Sequence, residues 1–592
     1  NWPRVIQIAW QLHDDMGNLI EHQDFLIKPE GFNIPYDAEQ IHGISTELAA
    51  KNGISLNDGL IKFNEALKKA KFVVGQNVQF DINVWGCEFY RAGIETEMID
   101  MAVLDTCTET TASLCQIPGG RGGKFKLPTL TELHEFLFAQ PFAEAHNATA
   151  DVEATTRCFF ELVRKGIFSP ESLQQEDRYL EDFKSFNPKP IGLIGLKHLN
   201  LKKESAKLID TETEDVLKDV DVKAVLGELD DYSFAHLHNH TQFSILQSTI
   251  NVNALVQKAA EFKMKAVALT DTGNMMAAFH FEQAVAKHNK SIAQKKKEAE
   301  EKGESFDGEE IIPIIGCEFN VCRNLRDKSQ KDNGYQVVLL AKNKNGYHNL
   351  IKLASIAYTE GMYYVPRIDK EAIEQYSEDI IVLTGNLYGE VPSLILNVGE
   401  AQAEEALIWW KSVFKDDLYV EVMRHDQENE NRVNETLIAL AAKHKVKLIA
   451  SNNTYYIDKS DAEAHDVLLC VKDNEFVTTP KGRGRGFRYG LDNEEYYFKS
   501  QDEMKKLFLD IPEAIKSIDE VIGKCEHYPL AREVLLPAFD IPEEFQDPLD
   551  AEDGGKRGEN NFLRHLTYEG AKKRYPEITD EIRERLDFEL AT

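Results

Sequence analysis

Hydrophobic and polar residues alternate along the first part of the chain with the spacing of β-strands, and helical periodicity follows. Residues 14–18 have the composition of a tight turn between two alternating runs. The predicted elements are strands at 4–12, 21–28 and 72–75 and helices at 56–70 and 151–165. Residues 1–166 are therefore predicted to form a compact α/β unit.

Beyond this unit the pattern changes three times. Residues 167–230 are polar and rich in Glu, Asp and Lys, which indicates a charged linker or small accessory segment. In residues 231–500, apolar strands alternate with helices, an order that favours a parallel sheet or barrel. Residues 501–592 are predicted to be mainly helical.

Three histidines at alternate positions, His236, His238 and His240, stand in one run of the second α/β region. Alternate side chains of an extended strand point the same way, so three imidazoles on one side predict a metal or phosphate site. Two later apolar strands end in Asp271 and Glu318. Polar residues at successive strand ends are typical of a β/α-barrel site. The alternative is a single decorated strand with a satisfied core histidine.

Composition narrows the class of protein. A net charge of −32 over 592 residues argues against an extended nucleic-acid surface. Two glycine-spaced basic loops, at 119–126 and 481–488, favour local phosphate contacts, unless they are simply solvated loops. The eight cysteines form no Cys-x-x-Cys pair, which indicates reduced thiols and a cytoplasmic location. No apolar run approaches the roughly 18 residues of a membrane span.

The first α/β unit contains a candidate hydrolytic set. Asp81 follows a short apolar strand, and His146 precedes Asp151 by five residues. Two carboxylates that hold a divalent metal, with a histidine as general base, are what metal-assisted phosphodiester hydrolysis requires. The alternative is that these are ordinary surface carboxylates and a helix cap.

These residues resemble the DEDDh family of 3′–5′ exonucleases, in its proofreading branch. The resemblance rests on Asn77, Phe80 and Asp81, on the His146–Asp151 motif, and on residues 41–44. It implies a ribonuclease H-like fold, catalysis by Asp81, His146 and Asp151, and Mg²⁺ or Mn²⁺ held by the two aspartates. It also implies that His42, Asn77 and Phe80 bind the 3′-terminal nucleotide.

One part of the family pattern is not present in the chain. The Asp-x-Glu motif of the opening strand supplies two further metal carboxylates, and it would precede Arg4, whereas the chain begins at Asn1. We therefore expect a truncated domain without its first strand, and little or no exonuclease activity from these 592 residues alone.

The second α/β region resembles the PHP domain of bacterial replicative DNA polymerases, specifically the family of DNA polymerase III alpha subunits. The matching motifs lie at residues 234–244, 270–274, 316–318 and 361–369, and the resemblance runs from about 232 to 592. It implies a distorted seven-stranded β/α barrel. Active PHP domains bind three metals and hydrolyse phosphoesters.

Only part of the PHP ligand set is present. His238, His240 and Glu318 match ligand positions of metal-loaded relatives. Six other ligand positions carry different residues: Gln247, Thr272, Gln336, Asn386, Asn453 and Tyr455. Amide and hydroxyl groups are poor replacements for carboxylate and imidazole ligands. We expect that the three-metal cluster is lost, that the PHP domain is structural, and that at most a residual site remains.

The resemblance implies a DNA-directed DNA polymerase whose palm would follow the helical segment 501–592, so this stretch is expected to lack polymerase activity. Implied partners are the primer 3′ end, the template, deoxynucleotides, the sliding clamp and the clamp loader, with no membrane. Two alternatives remain. One is a PHP phosphoesterase acting on a small phosphate ester, and the other is a non-catalytic scaffold that binds DNA or replisome proteins.

Overall fold

The computed structural model describes residues 2–119, 124–140, 147–196, 199–209, 222–482, 486–532, 534 and 539–592. It divides into two compact units, Asn1–Tyr528 and Pro529–Thr592. No helix among the described residues has the length and apolar character needed to cross a bilayer.

Two strand pairs organise the first 166 residues. Strands β1 (Gln7–His13) and β2 (Leu19–Leu26) are antiparallel, and Asp14 closes the turn between them by accepting the Asn18 backbone N–H at 2.8 Å. Strands β3 (Phe72–Gly75) and β4 (Ala102–Asp105) are parallel. Within the part of the chain that the structure describes, the two pairs form separate sheets.

Seven helices surround these strands in the described part of residues 1–166. They are α1 (Tyr36–His42), α2 (Thr46–Asn52), α3 (Leu56–Leu67), α4 (Val78–Ala92), α5 (Glu109–Cys115), α6 (Leu130–Phe138) and α7 (Ala148–Arg164). Leu60 and Phe89 lie in the core between α3 and α4, where the rings of Phe63 and Trp85 stack at 3.9 Å. On the other side, Leu162 of α7 packs against Leu133 of α6. Burial of such residues contributes roughly 1.5–3 kcal/mol per side chain.

The predicted charged segment 167–230 contributes to this core. It contains α8 (Tyr179–Phe186), α9 (Leu201–Ile209) and α10 (Val222–Leu229). Phe183 is fully buried against Phe160, and Leu201 is buried beside Ile44. Part of the segment therefore acts as an accessory element of the first α/β unit.

The second α/β region is a curled sheet of seven strands. They are β5 (Ala266–Leu269), β6 (Ile312–Cys322), β7 (Tyr335–Ala341), β8 (Arg367–Asp369), β9 (Ile380–Leu383), β10 (Leu418–Met423) and β11 (Lys447–Ser451). The order is β11-β10-β9-β7-β6-β5, and β8 pairs with β6. Strand β7 is antiparallel to both β6 and β9, and the other pairs are parallel.

The histidine run does not form the regular strand that the sequence predicted. Instead, it connects the two edge strands of the curled sheet. The Ala268 N–H of β5 donates to the His236 carbonyl, and the Thr454 N–H beyond β11 donates to the His238 carbonyl. His240 returns a bond from its N–H to the Thr454 carbonyl. The run thus closes the sheet into a distorted barrel.

Helices cover the outside of this barrel. They are α11 (Val252–Glu261), α12 (Ala278–Lys302), α13 (Lys344–Thr359), α14 (Lys370–Gln375), α15 (Glu390–Asn397), α16 (Glu400–Phe414), α17 (Glu428–His444), α18 (Ala462–Asp473), α19 (Gln501–Leu507) and α20 (Pro512–Lys524). Leu339 and Val382 of the sheet are buried with Leu350 of α13 and Leu407 of α16. This apolar layer makes the barrel a rigid support for side chains at its strand ends.

The second compact unit is helical, as the sequence predicts for this stretch. It contains α21 (Pro548–Asp553), α22 (Arg557–Arg574) and α23 (Asp580–Ala591). Arg557 at the start of α22 pairs with Asp550 and Asp553 of α21. The rings of Phe545 and Phe562 lie 5.1 Å apart and pack the connection between these helices.

Candidate functional site

The first candidate site, which we call the N-terminal site, contains Asp81, Asp105 and Asp151. Helix α4 begins directly after Asn77, whose φ of 60° is left-handed. Asp81 stands in the first turn of this helix. The Asp105 carboxylate at the end of β4 accepts the backbone N–H groups of Asn77 at 2.9 Å and Val78 at 3.1 Å. Asp105 therefore fixes the turn from which the helix carrying Asp81 begins.

Asp151 reaches the same site from the first turn of α7. Asn147 caps this helix by accepting the Thr149 N–H, and the Thr149 hydroxyl donates to Asp24 of β2. These bonds set the position of the helix start. Partial burial, together with the carboxylates of Asp105 and Asp151, raises the pKa of Asp81 to about 6. Concentrated negative charge of this kind favours a divalent cation.

Of the predicted nucleotide-binding residues, Asn77 and Phe80 are exposed, whereas His42 is partly buried. Phe80 is 48% exposed, and its ring and that of Trp2 form an edge-to-face pair with centroids 5.8 Å apart. His42 ends α1, where its Nδ1 accepts the Ile44 N–H at 3.1 Å. Exposed aromatic rings beside a carboxylate cluster suit stacking on a nucleic-acid base.

The proposed general base His146 lies outside the described residues, as do parts of both glycine-spaced basic loops. The described helix α7 begins two residues later, at Ala148. The role of His146 stays a prediction from the sequence.

Asp105 is a residue of the N-terminal site that the sequence analysis missed. It ends a short strand, Ala102–Asp105, that lies parallel to the strand preceding Asp81. Carboxyl ends of adjacent parallel strands meet at the same sheet edge. The short apolar run that ends in Asp105 was therefore the signal that could have identified it.

Replacing Asp105 with Ala should destabilise the chain by about 1–2 kcal/mol, because three backbone donors lose their acceptor. The third donor is the Cys107 N–H, at 2.7 Å. Urea unfolding measures the loss, and Asp105→Asn should lose less because its amide oxygen still accepts. The exposed Asp100→Ala is the matched control. Equal stability of Asp105→Ala and wild type would contradict this capping role.

The second candidate site, which we call the barrel site, contains His238, His240, Glu318 and Glu421. His238 lies between two carboxylates, with Nε2 3.2 Å from Glu318 and Nδ1 2.9 Å from Glu421. The ligand atoms of His238, His240 and Glu318 lie within 4.8 Å of one another. All four side chains are almost fully buried.

His236 does not join this site, contrary to the expectation of three imidazoles on one side. Its Nε2 bonds the Lys499 carbonyl at 2.8 Å, and its ring packs on Phe498 at 4.1 Å. Burial lowers its pKa to about 3. His236 is therefore a neutral core residue, because the irregular backbone of the run directs it away from Glu318.

Substituted ligand positions of the barrel site bond to one another or to the retained residues. The Thr272 hydroxyl donates to Glu318 at 2.9 Å, and the Asn386 amide donates to Gln336 at 2.9 Å. The Asn453 amide oxygen lies 2.9 Å from His240 Nε2. Of the remaining two, the Tyr455 ring stacks on His240 at 4.4 Å, and the Gln247 carbonyl accepts from His465.

The retained histidines and carboxylate fit a single divalent ion better than a cluster. Two imidazoles and one carboxylate are a common set for one transition metal. The neighbouring amides and hydroxyl are weak ligands, and some of their polar atoms are already bonded, either to each other or to Glu318. The barrel site can therefore hold one ion at His238, His240 and Glu318 without a full set for three.

Glu421 was also missed by the sequence analysis. It is fully buried in strand β10, and its Oε2 has no hydrogen-bond partner among the described residues. Burial alone would lower the pKa of His238, but the carboxylates of Glu421 and Glu318 outweigh it and raise that pKa to about 10. A lone glutamate within an apolar strand was the available signal.

Each of the two α/β regions matches a known protein family. Residues 3–159 match the family model described as Exonuclease, and residues 236–425 match the PHP domain. The chain carries an exonuclease domain and a PHP domain. The exonuclease match contains the N-terminal site, and the PHP match contains the barrel site. An exonuclease domain of this kind uses a divalent metal.

The chain is also similar to curated DNA polymerase III alpha subunits. It is 36% identical over 363 residues to the subunit of Borreliella burgdorferi, and the aligned region covers 60% of this chain and 28% of that protein. Identity to the Treponema pallidum subunit is 33%, with the same 60% and 28% coverage. For Chlamydia pneumoniae it is 32%, covering 60% and 30%. The chain thus spans under a third of the length of these relatives.

Proposed function

We propose that this chain serves a replicative DNA polymerase of the DNA polymerase III alpha type. Its exonuclease domain would act as a 3′–5′ proofreading module. The observation that carries the proposal is the acidic N-terminal site beside the exposed Phe80, within the residues that match the exonuclease family. The whole protein would carry out DNA-templated DNA synthesis in the cytoplasm.

In this proposal each residue of the N-terminal site has one task. Asp81 and Asp151 would hold Mg²⁺ or Mn²⁺, and a bound ion would supply charge stabilisation for the phosphodiester oxygens. His42, Asn77 and Phe80 position the 3′-terminal nucleotide, and His146 accepts the proton of the attacking water. Asp105 keeps Asn77 and Asp81 in place through the backbone of their turn.

We propose a structural role for the PHP domain. The support is that substituted ligand positions such as Thr272 and Asn386 are engaged in internal hydrogen bonds. Turnover of a small phosphate ester by the purified chain would argue against this role. The polymerase setting implies primer, template, deoxynucleotides, the sliding clamp and the clamp loader as partners.

A non-catalytic role is the second candidate for these 592 residues. It is favoured because the exposed Phe80 ring could stack on a base without any cleavage step. In that case the exonuclease domain would hold DNA or replisome proteins without cleaving. Salt-dependent DNA affinity with no metal-dependent cleavage would identify it.

Metal binding tests the proposed site directly. We expect the purified chain to bind Mn²⁺, measured by electron paramagnetic resonance, and Asp151→Asn to weaken binding at least about tenfold. Loss of a ligand carboxylate removes both charge and a coordinating oxygen. The assay contains a 3′-ended single-stranded oligonucleotide in one arm, which should increase Mn²⁺ affinity if the 3′ end shares the site.

Two controls make the Mn²⁺ result specific. Asp100→Asn removes an exposed carboxylate elsewhere in the exonuclease domain and should leave affinity unchanged. His240→Gln reports any ion bound at the barrel site, and it should not alter the oligonucleotide-dependent signal. Equal Mn²⁺ affinity in wild type and Asp151→Asn would refute the proposed N-terminal metal site.

A further inference from the structure

A salt bridge joins the exonuclease domain to the PHP domain across the chain. Arg432 of α17 donates from Nη1 to Glu39 of α1 at 3.1 Å and from Nη2 to Glu47 of α2 at 3.1 Å. Glu39 is 7% exposed at its side chain and the Arg432 side chain 22% exposed. Partly buried charged pairs with forked geometry are stronger and more directional than surface pairs.

The same face carries three further contacts between the domains. The Asn33 backbone N–H donates to the Val398 carbonyl at 2.6 Å, and its side-chain amide donates to the Ile395 carbonyl at 3.2 Å. The Tyr36 ring lies 5.9 Å from the Arg432 guanidinium. Residues 33–47 of the exonuclease domain are therefore docked on the barrel through one continuous patch.

Arg432 stands on a firmly held part of the PHP domain. The first turn of α17 is fixed by Glu430, which accepts from the His425 N–H and contacts His425 Nδ1, both at 2.6 Å. Val433, the residue after Arg432, is buried in the PHP core with Leu437. A rigid helix can transmit position to whatever its side chains hold.

The docked patch contains the proposed 3′-end element. His42 lies one helical turn from Glu39 on α1, and Gly43 follows with φ of 75°. On the opposite side, Ser205 of α9 donates to the Gly43 carbonyl at 2.8 Å. A Cβ on Gly43 would meet the Lys202 backbone nitrogen at 2.7 Å, so α9 approaches closely. The element is thus held between α9 and α17.

We infer that Arg432 is a positioning residue for the exonuclease site, which anchors α1 and α2 to the PHP barrel and thereby sets His42 against the 3′-terminal nucleotide. This inference rests on the proposed exonuclease function. It gives the PHP domain a specific task besides its own fold: it orients the part of the neighbouring domain that receives the DNA end.

Hydrogen exchange of the full chain tests the anchor. In Arg432→Gln, amides of residues 33–48 should exchange roughly tenfold faster, whereas α7 and β6 should be unchanged. Arg432→Lys keeps the charge but loses the forked geometry, so it should give an intermediate rate. Lys443→Gln is the matched control, because Lys443 lies on the same helix and pairs with Glu404 within the PHP domain.

A binding assay supplies the functional readout. Affinity for a fluorescent single-stranded oligonucleotide with a free 3′ hydroxyl, measured in Ca²⁺, should fall about three- to tenfold in Arg432→Gln and partly recover in Arg432→Lys. Oligonucleotides with a 3′ phosphate measure the contribution of the free 3′ end.

The outcomes separate the inference from the proposed function. Unchanged exchange over residues 33–48 would overturn the anchor. Faster exchange with unchanged affinity, while Asp151→Asn still weakens metal binding, would overturn the positioning role and leave the exonuclease proposal in place. A wild-type chain that binds no 3′-ended DNA would refute both. If exchange in Arg432→Gln became faster in all peptides, that variant would be unfolding as a whole. Arg432→Lys would then be the test, and faster exchange confined to residues 33–48 in that variant would support the anchor, whereas unchanged exchange there would overturn it.

Discussion

Replacing His238 with Ala should destabilise the chain by about 3–5 kcal/mol, the cost of breaking a buried charged network. His238 contacts Glu318 on one side and Glu421 on the other, and neither carboxylate is more than 1% exposed. Without the imidazole, Glu421 loses its ionic contact with His238 and its side chain stays buried. Urea unfolding measures the loss of stability. EDTA is added so that no bound metal ion neutralises the carboxylates that the imidazole leaves behind.

A double-mutant cycle separates this electrostatic effect from a simple cavity. Glu421→Gln removes one of the two charges that His238 balances, so His238→Ala should cost less in that background. We expect a coupling of roughly 1–3 kcal/mol, as for residues in one network. Additive costs would show that His238 is not coupled to the Glu421 charge and contributes mainly by packing.

Elements with a strong local pattern could be predicted closely from the sequence. Strand β3 has the predicted bounds because four apolar residues are closed by a glycine and a polar turn. Strand β6 was predicted to end at Glu318 but continues to Cys322, because pairing with β7 and β8 extends past Glu318. The local pattern carries no information about such pairing partners.

Single charged residues with distant partners were the hardest to predict. Asp105 acts on Asn77 28 residues away, Glu421 acts on His238 183 residues away, and Arg432 acts on Glu39 393 residues away. Each looks ordinary in its own segment. Only the fold brings each to its partner, whereas the two histidines and Glu318 could be found from motifs that match a known domain.

The second large loss of stability is expected when Gly361 is replaced with Ala. Gly361 belongs to the motif at residues 361–369 that resembles PHP domains. A Cβ at this position would meet the Arg367 carbonyl oxygen at 1.9 Å, and that oxygen is backbone. Relief requires moving β8, which pairs with β6 from Asn320 to Cys322. We expect Gly361→Ala to cost about 3 kcal/mol or more, in the upper range for overpacking.

Arg367 makes this site unusually sensitive to displacement. Its side chain is fully buried, and it donates to the Gly361 carbonyl at 3.0 Å and the Asp332 carbonyl at 2.8 Å. Moving Gly361 therefore breaks bonds of a buried cation as well as forcing a clash. Because β6 also carries Glu318, the barrel site should be disturbed as well, and any metal bound there should be held more weakly.

Gly523 offers a matched control for this prediction. It lies in helix α20, and a Cβ at that position meets no atom within 4 Å. Gly523→Ala should be neutral or stabilise the chain by up to about 1 kcal/mol, because alanine is the better helix former. Thermal and urea unfolding of both variants give the comparison. If Gly361→Ala were as stable as Gly523→Ala, the close approach of Gly361 to the Arg367 carbonyl would not restrict the side chain at position 361. The glycine in the 361–369 motif would then need an explanation other than backbone packing.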